Sequence, residues 1–129
     1  MLKNTLTFIF VLLLVSCNNK ITFPVSDIAP AANITVKKNK DKYDNYVIEV
    51  KAENLASAER ISSSSNYFTV WVKNLNDEIR NIGNFQIKNG DDVNIKRTTP
   101  FDFKEVFITL EKESNAQHPS GLVVSRTKI

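Results

Sequence analysis

The sequence predicts an all-β fold, an antiparallel β-sandwich of about seven strands. Three observations predict it. From Ile34 onward, short stretches alternate apolar and polar residues with the period of two that belongs to half-buried strands. Asn, Asp, Gly and Ser separate those stretches, and each is a residue that favours turns for a definite conformational reason. The chain of 129 residues is long enough for one hydrophobic core and too short for two domains once its first segment is set aside.

That first segment is the apolar run "FIFVLLLVSC", which ends on the only cysteine of the chain. Lys3 precedes a run from Leu6 to Val15 that is shorter than the roughly 20 residues a membrane-spanning helix needs. A short basic start followed by a short apolar stretch is the pattern of a secretory signal peptide. Cys17 has no cysteine partner for a disulfide, and with a single histidine there are too few ligands for an ordinary structural zinc site. The tetrad Leu14, Val15, Ser16, Cys17 resembles the lipobox of bacterial lipoproteins. The resemblance implies cleavage after Ser16, a diacylglyceryl thioether on Cys17 and acylation of the new amino terminus. The palmitate-type chains would then anchor the protein to a membrane, with residues 1–16 lost and 113 residues retained. Acyl chains contribute roughly 0.8 kcal/mol per buried methylene, so several of them hold a protein on a bilayer almost permanently.

The residues after Cys17, "NNKIT", lack the Asp that resembles an inner-membrane retention signal and the acidic cluster that resembles a surface-export signal. The expected address is the periplasmic leaflet of the outer membrane. The formal net charge of +3, or +2 without Lys3, reflects a slight lysine excess and implies no nucleic-acid partner. The cluster "VKKNKDK" from Val36 to Lys42 reads as a solvated turn with some capacity to touch anionic headgroups.

Residues 17–33, with two prolines and several small residues, are expected to form an extended lipidated tether in which Phe23, Val25 and Ile28 begin to dock. The sandwich domain is expected over residues 34–129. Its candidate strands are "ANITVK", "NYVIEVKAEN", "YFTVWVKN", "EIRNIGNFQI", "DVNIKR", "FKEVFITLEK" and "GLVVSRTK", the count of an immunoglobulin-like sandwich. Asn89-Gly90 suits a type I′ hairpin turn, and "NLNDE" supplies turn residues between two strand patterns. The stretch "ASAERISSSS" admits one helical turn at its Ala-rich start, but its serine run cannot bury apolar surface and reads as a mobile loop.

Alternation also assigns faces. Tyr46, Ile48, Val50 and Ala52 form the core side of one strand, and Val106, Ile108 and Leu110 that of another. In "YFTVWVKN" both sides are partly apolar. The smaller set Phe68, Val70 and Val72 suits the space between sheets, which leaves Tyr67 and Trp71 outward, with Phe107 outward on its own strand. If those strands are neighbours, Tyr67, Trp71 and Phe107 make an exposed aromatic patch, a candidate binding site. Burial of Trp71 within the domain or beneath the Phe23–Ile28 segment is the competing expectation.

Catalytic chemistry has little to build on. His118 lies in the loop-like "NAQHPSG" and has no accompanying signature that would make it a catalytic base. The carboxylate pairs Glu111 with Glu113 and Asp91 with Asp92 fall at strand ends or turns and are expected to be solvated. No calcium loop or phosphate-cradling loop is present, so no metal and no cofactor are expected.

The segments "FTVWVKNLNDEIRNIGNFQI", "PFDFKEVFITLEKE" and "HPSGLVVS" follow one another in an order that resembles the extracytoplasmic domain of the anti-sigma-K factor family. The matching positions are Trp71, Ile82 with Gly83, Leu110 with Glu111, and Pro119 with Gly121. The resemblance covers about the second half of the mature chain and implies a β-domain that serves as a sensor or binding module. The cytoplasmic zinc-binding module of that family has no counterpart in this sequence, so binding of a sigma factor does not carry over. The expected function is a lipid-anchored, non-catalytic binding or structural module of the envelope, with a protein or glycan partner. The alternative is a small envelope hydrolase or transferase using His118.

Overall fold

A computed structural model describes residues 19–88 and 90–129. Residues 1–18, which include Cys17 and the expected signal peptide, and Asn89 lie outside the described residues. The chain folds into two four-stranded antiparallel sheets. One has the order β1 (Lys20–Thr22), β2 (Asn33–Lys40), β3 (Tyr46–Glu53), β6 (Val93–Thr99); the other has β5 (Ile79–Phe85), β4 (Tyr67–Asn74), β7 (Phe103–Glu111), β8 (Val123–Lys128). With β1 set aside, β2, β3 and β6 occupy the places of strands A, B and E of an immunoglobulin-like sandwich, and β5, β4, β7 and β8 those of C′, C, F and G.

The core lies between the sheets and is made by the residues that alternation selects. Ile34 and Val36 from β2, Ile48, Val50 and Ala52 from β3, Phe68, Val70 and Val72 from β4, and Val106, Ile108 and Leu110 from β7 are all buried in one cluster. Tyr46 packs against its edge. Each fully buried aliphatic or aromatic side chain contributes about 1.5–3 kcal/mol relative to exposure, so these positions set the register of each strand.

Three expectations are corrected. The domain does not begin at Ile34 but at Lys20: β1 pairs with β2 through Lys20–Lys37, Ile21–Val36 and Thr22–Thr35, and Phe23 N–H continues the ladder to the Ile34 carbonyl at 2.9 Å. Phe23 and Ala29 enter the core, Ser26 Oγ accepts from the Ala29 amide at 3.1 Å, and Ser125 Oγ donates to the Pro24 carbonyl at 2.8 Å. A three-residue strand followed by two prolines has too few alternations to be read from sequence, which is why this segment resembles a tether. Second, the segment containing Gly90 does not close a hairpin. β5 and β6 belong to different sheets, so residues 86–92 cross from one to the other, although Gly90 does adopt the positive φ of +70° that its turn requires. Third, Ala58–Ile61 form a helical turn, α1, and Leu55, Ala58 and Ser65 are buried around it, so the "ASAERISSSS" stretch closes one end of the sandwich.

Candidate functional site

On the outer face of the β5-β4-β7-β8 sheet, Trp71 of β4 and Phe107 of β7 are cross-strand partners, as their alternation requires. Their rings stack with centroids 6.3 Å apart and planes 16° from parallel. Arg126, the partner of Phe107 on β8, places its guanidinium 4.3 Å from the Phe107 centroid and bonds Glu105 at 2.7 Å. Tyr67 lies on the same face and is half-buried. The three residues therefore share a face, but they are no exposed patch: Trp71 is 0% and Phe107 1% exposed. An immunoglobulin-like domain buries its strand-C tryptophan between the sheets; here the tryptophan of the equivalent strand is buried on the opposite side.

The cover is the β7–β8 connection, residues 112–122, and the Phe23–Ile28 segment has no such role. Asn84 and Asn81 on β5 face outward as the partners of Thr69 and Trp71. Asn84 Nδ2 donates to the Ser114 carbonyl at 2.8 Å, and Asn81 Nδ2 to the Ala116 carbonyl at 3.0 Å. These two bonds start at the far edge of the sheet and end on the connection, so the connection crosses above Thr69 and Trp71 as a strap. A bulge between Val70 and Trp71, opposite Ile82, re-aims the edge strand, and Asn81 Oδ1 fixes it by accepting from Gly83 N–H at 3.0 Å.

Glu111 fastens the other end of the strap. This carboxylate was expected to be solvated; it is 2% exposed. It accepts from Ser120 Oγ at 2.7 Å, from the Ser120 amide at 3.0 Å, from the Gly121 amide at 3.2 Å and from Thr109 Oγ1 at 2.8 Å. Thr109 Oγ1 in turn accepts the Trp71 indole N–H at 2.8 Å. Burial raises the Glu111 carboxyl, but the bonds from Ser120, Thr109 and Gly121 favour the charged form more strongly and hold it below the usual glutamate value. Next to this chain, Thr69 Oγ1 is buried without a partner among the described residues. Trp71, Glu111 and Gly121, drawn from three separate segments of sequence, thus meet in one hydrogen-bonded relay.

Between the strap and the Ser62–Ser65 turn opens a cleft of about 810 Å³, lined by Ser62, Ser64, Ser65, Asn115, Gln117, His118 and Ser120 together with Glu111. Leu110, Ala116 and Leu122 also line it, so hydroxyl, amide and charged groups share the cleft with apolar surface, a mixture that suits a peptide or a sugar face. His118 is exposed on the strap, and none of the hydrogen bonds among the described residues involves it. Of the two carboxylates that share the cleft, Glu111 is committed to the strap and Glu113 is exposed, and no group of three or more metal-ligating side chains converges among the described residues. Asp91 and Asp92 are exposed in the β5–β6 crossing. No helix among the described residues is long and apolar enough to cross a membrane.

The outward polar partners Thr109, Asn81 and Asn84 carry no recognisable motif, and Glu111, although among the positions of the resemblance, carries no signal of what it bonds. The one signal pointing to a cover was Trp71 itself, since a large aromatic on an outer face is seldom left in water. No family model, curated protein or solved structure matches the chain.

Proposed function

We propose that the chain is a lipid-anchored envelope protein whose β-sandwich acts as a non-catalytic binding or structural module, held by acylated Cys17 at the periplasmic leaflet of the outer membrane. The observation that carries this reading is the "LVSC" tetrad at the end of a short apolar run, followed after only two residues, Asn18 and Asn19, by the first strand of a folded domain. A signal peptide cut before Cys17 leaves a mature chain that is folded almost from its first residue. The cleft beside the strap, of mixed polar and apolar lining, is the place where a protein or glycan partner of the envelope fits. The resemblance of the Trp71, Glu111 and Gly121 segments to the anti-sigma-K extracytoplasmic domain supports a sensor or binding role without implying any contact with a sigma factor.

A hydrolase or transferase centred on His118 is the competing function, and it lacks a carboxylate or nucleophile bonded to that imidazole. Two experiments test the proposal. Cys17→Ala should abolish fatty-acid labelling and release the protein from membranes. His118→Ala should leave partner capture from cross-linked envelopes intact, whereas an enzyme would lose turnover.

A further inference from the structure

The end of the sandwich from which the chain leads back to Cys17 differs in charge from the opposite end. Lys20 opens β1, Lys37 lies in the second half of β2, Lys40 ends that strand, and Lys42 lies in the β2–β3 turn. None of the four forms an ion pair among the described residues, whereas Lys38, Lys73 and Lys104 at the same end are paired with Asp102, Glu105 and Asp77. Lys20 and Lys37 are cross-strand partners, so two like charges stand directly opposite on one face. Glu49, the cross-strand partner of Lys37, adds one negative charge to that row, and Lys96 beyond it adds a further positive one. The carboxylates of the adjoining turn, Asp41 and Asp44, offset part of this charge, and Asp41 accepts the Tyr43 and Asn45 amides of its own turn.

Two large side chains stand out at this end. Tyr43 is 72% exposed, with Lys42 Nζ 5.1 Å from its ring centroid, and Leu75 in the β4–β5 turn is 59% exposed. The far end, around α1 and the β5–β6 crossing, carries Glu53, Glu59, Asp91, Asp92 and Glu113 against Arg60, Lys88 and Lys112.

We infer that this lysine-rich end is a seat for an anionic phospholipid surface, and that it orients the domain with the Tyr43 turn against the bilayer and α1 away from it. The inference rests on Cys17 being the lipid anchor. Three peptide steps separate Cys17 from Lys20, and an extended chain covers at most about 3.6 Å per step, so the anchor lies within about 11 Å of β1. At that range the effective concentration of headgroups is high, and weak contacts suffice. Lysines near an anionic surface are drawn to it within a Debye length, and a tyrosine places its ring at the headgroup level with its hydroxyl in water. Glu49 offsets Lys37 from the other side, but Lys20, at the edge of the row, has no carboxylate opposite it and finds its counter-charge at the surface.

The test uses residues 18–129 without the anchor, because both sheets and the whole core cluster are built from residues after Asn18. The domain should co-sediment with phosphatidylethanolamine vesicles containing phosphatidylglycerol, and salt should weaken the binding. The combined variant Lys20→Gln, Lys37→Gln, Lys40→Gln, Lys42→Gln should bind at least about tenfold more weakly. The control variant Arg60→Gln, Lys88→Gln, Lys112→Gln should bind as the parent does. Equal binding to phosphatidylcholine vesicles, equal losses in both variants, or no binding at low salt would overturn the inference. Circular dichroism of both variants confirms that they fold. Fatty-acid labelling at Cys17 is read separately: its loss with vesicle binding intact refutes the anchor, and its presence with vesicle binding absent refutes the seat.

Discussion

Trp71 and Thr109 meet across the β4–β7 pair, with the indole N–H donated to the threonine hydroxyl at 2.8 Å on the face of the sheet turned away from the core. The hydroxyl passes its own proton toward Glu111, so removing it strands a donor and an acceptor together. Thr109→Val keeps the shape but leaves both groups buried without that partner, and should cost about 1–3 kcal/mol in urea unfolding. Trp71 is the only tryptophan. Its emission should be blue-shifted and resist acrylamide in the parent, and both properties should weaken in the variant.

Glu111 makes stability depend on pH. Its carboxyl is held below the usual value in the folded state, so its contribution is present above the unfolded value of about 4.5 and is lost as pH falls through the folded value. Glu111→Gln carries donors where the strap already offers donors, and should be less stable than the parent at neutral pH. Thermal unfolding of both proteins across the acid range should show the difference shrinking below pH ~4.5. Asp41, Asp77 and Asp102 are also lowered but occur in both proteins, so the difference isolates Glu111. A difference independent of pH would contradict the assignment.

Two glycines should respond differently to alanine. A Cβ on Gly121 would lie 1.5 Å from the Leu110 carbonyl oxygen, a backbone atom, so Gly121→Ala must displace the end of the strap. A loss above about 3 kcal/mol and increased quenching of Trp71 are expected. Gly90 has open space around it and a φ of +70°, so Gly90→Ala should cost only about 1–2 kcal/mol of backbone strain and leave the fluorescence unchanged.

The segment before Ile34 should behave as part of the domain. Phe23→Ala removes a ring that is 5% exposed in the core cluster and should destabilise by about 3–5 kcal/mol. Limited proteolysis of the parent should spare Lys20 to Asn33, and first cuts within that stretch would contradict the docking of β1.

The sequence and the structure agree where a strand is long enough to alternate. Ile48, Val50 and Ala52, and Val106, Ile108 and Leu110 are read inward from period alone, Phe68, Val70 and Val72 from period together with side-chain size, and the outward pairing of Trp71 with Phe107 follows from the same parity. What alternation cannot convey is what lies over an outer face. The strap is polar and aperiodic, its hold depends on Asn81, Asn84 and Glu111 meeting carbonyls and amides distant in sequence, and no local pattern encodes those partners. The same limit hides β1, whose three residues dock through long-range pairing, and it makes residues 86–92 look like a hairpin when they change sheets.

That Cys17 carries the lipid anchor is the claim from which the proposed function and the membrane seat both follow, and metabolic labelling of the full-length chain with a fatty acid in a bacterial host, followed by separation of membranes, measures it directly. The parent should carry the label and sediment with the envelope, and Cys17→Ala should lose the label and leave the membrane fraction. A Cys17→Ala protein that still takes up label and stays with the membranes would contradict the claim.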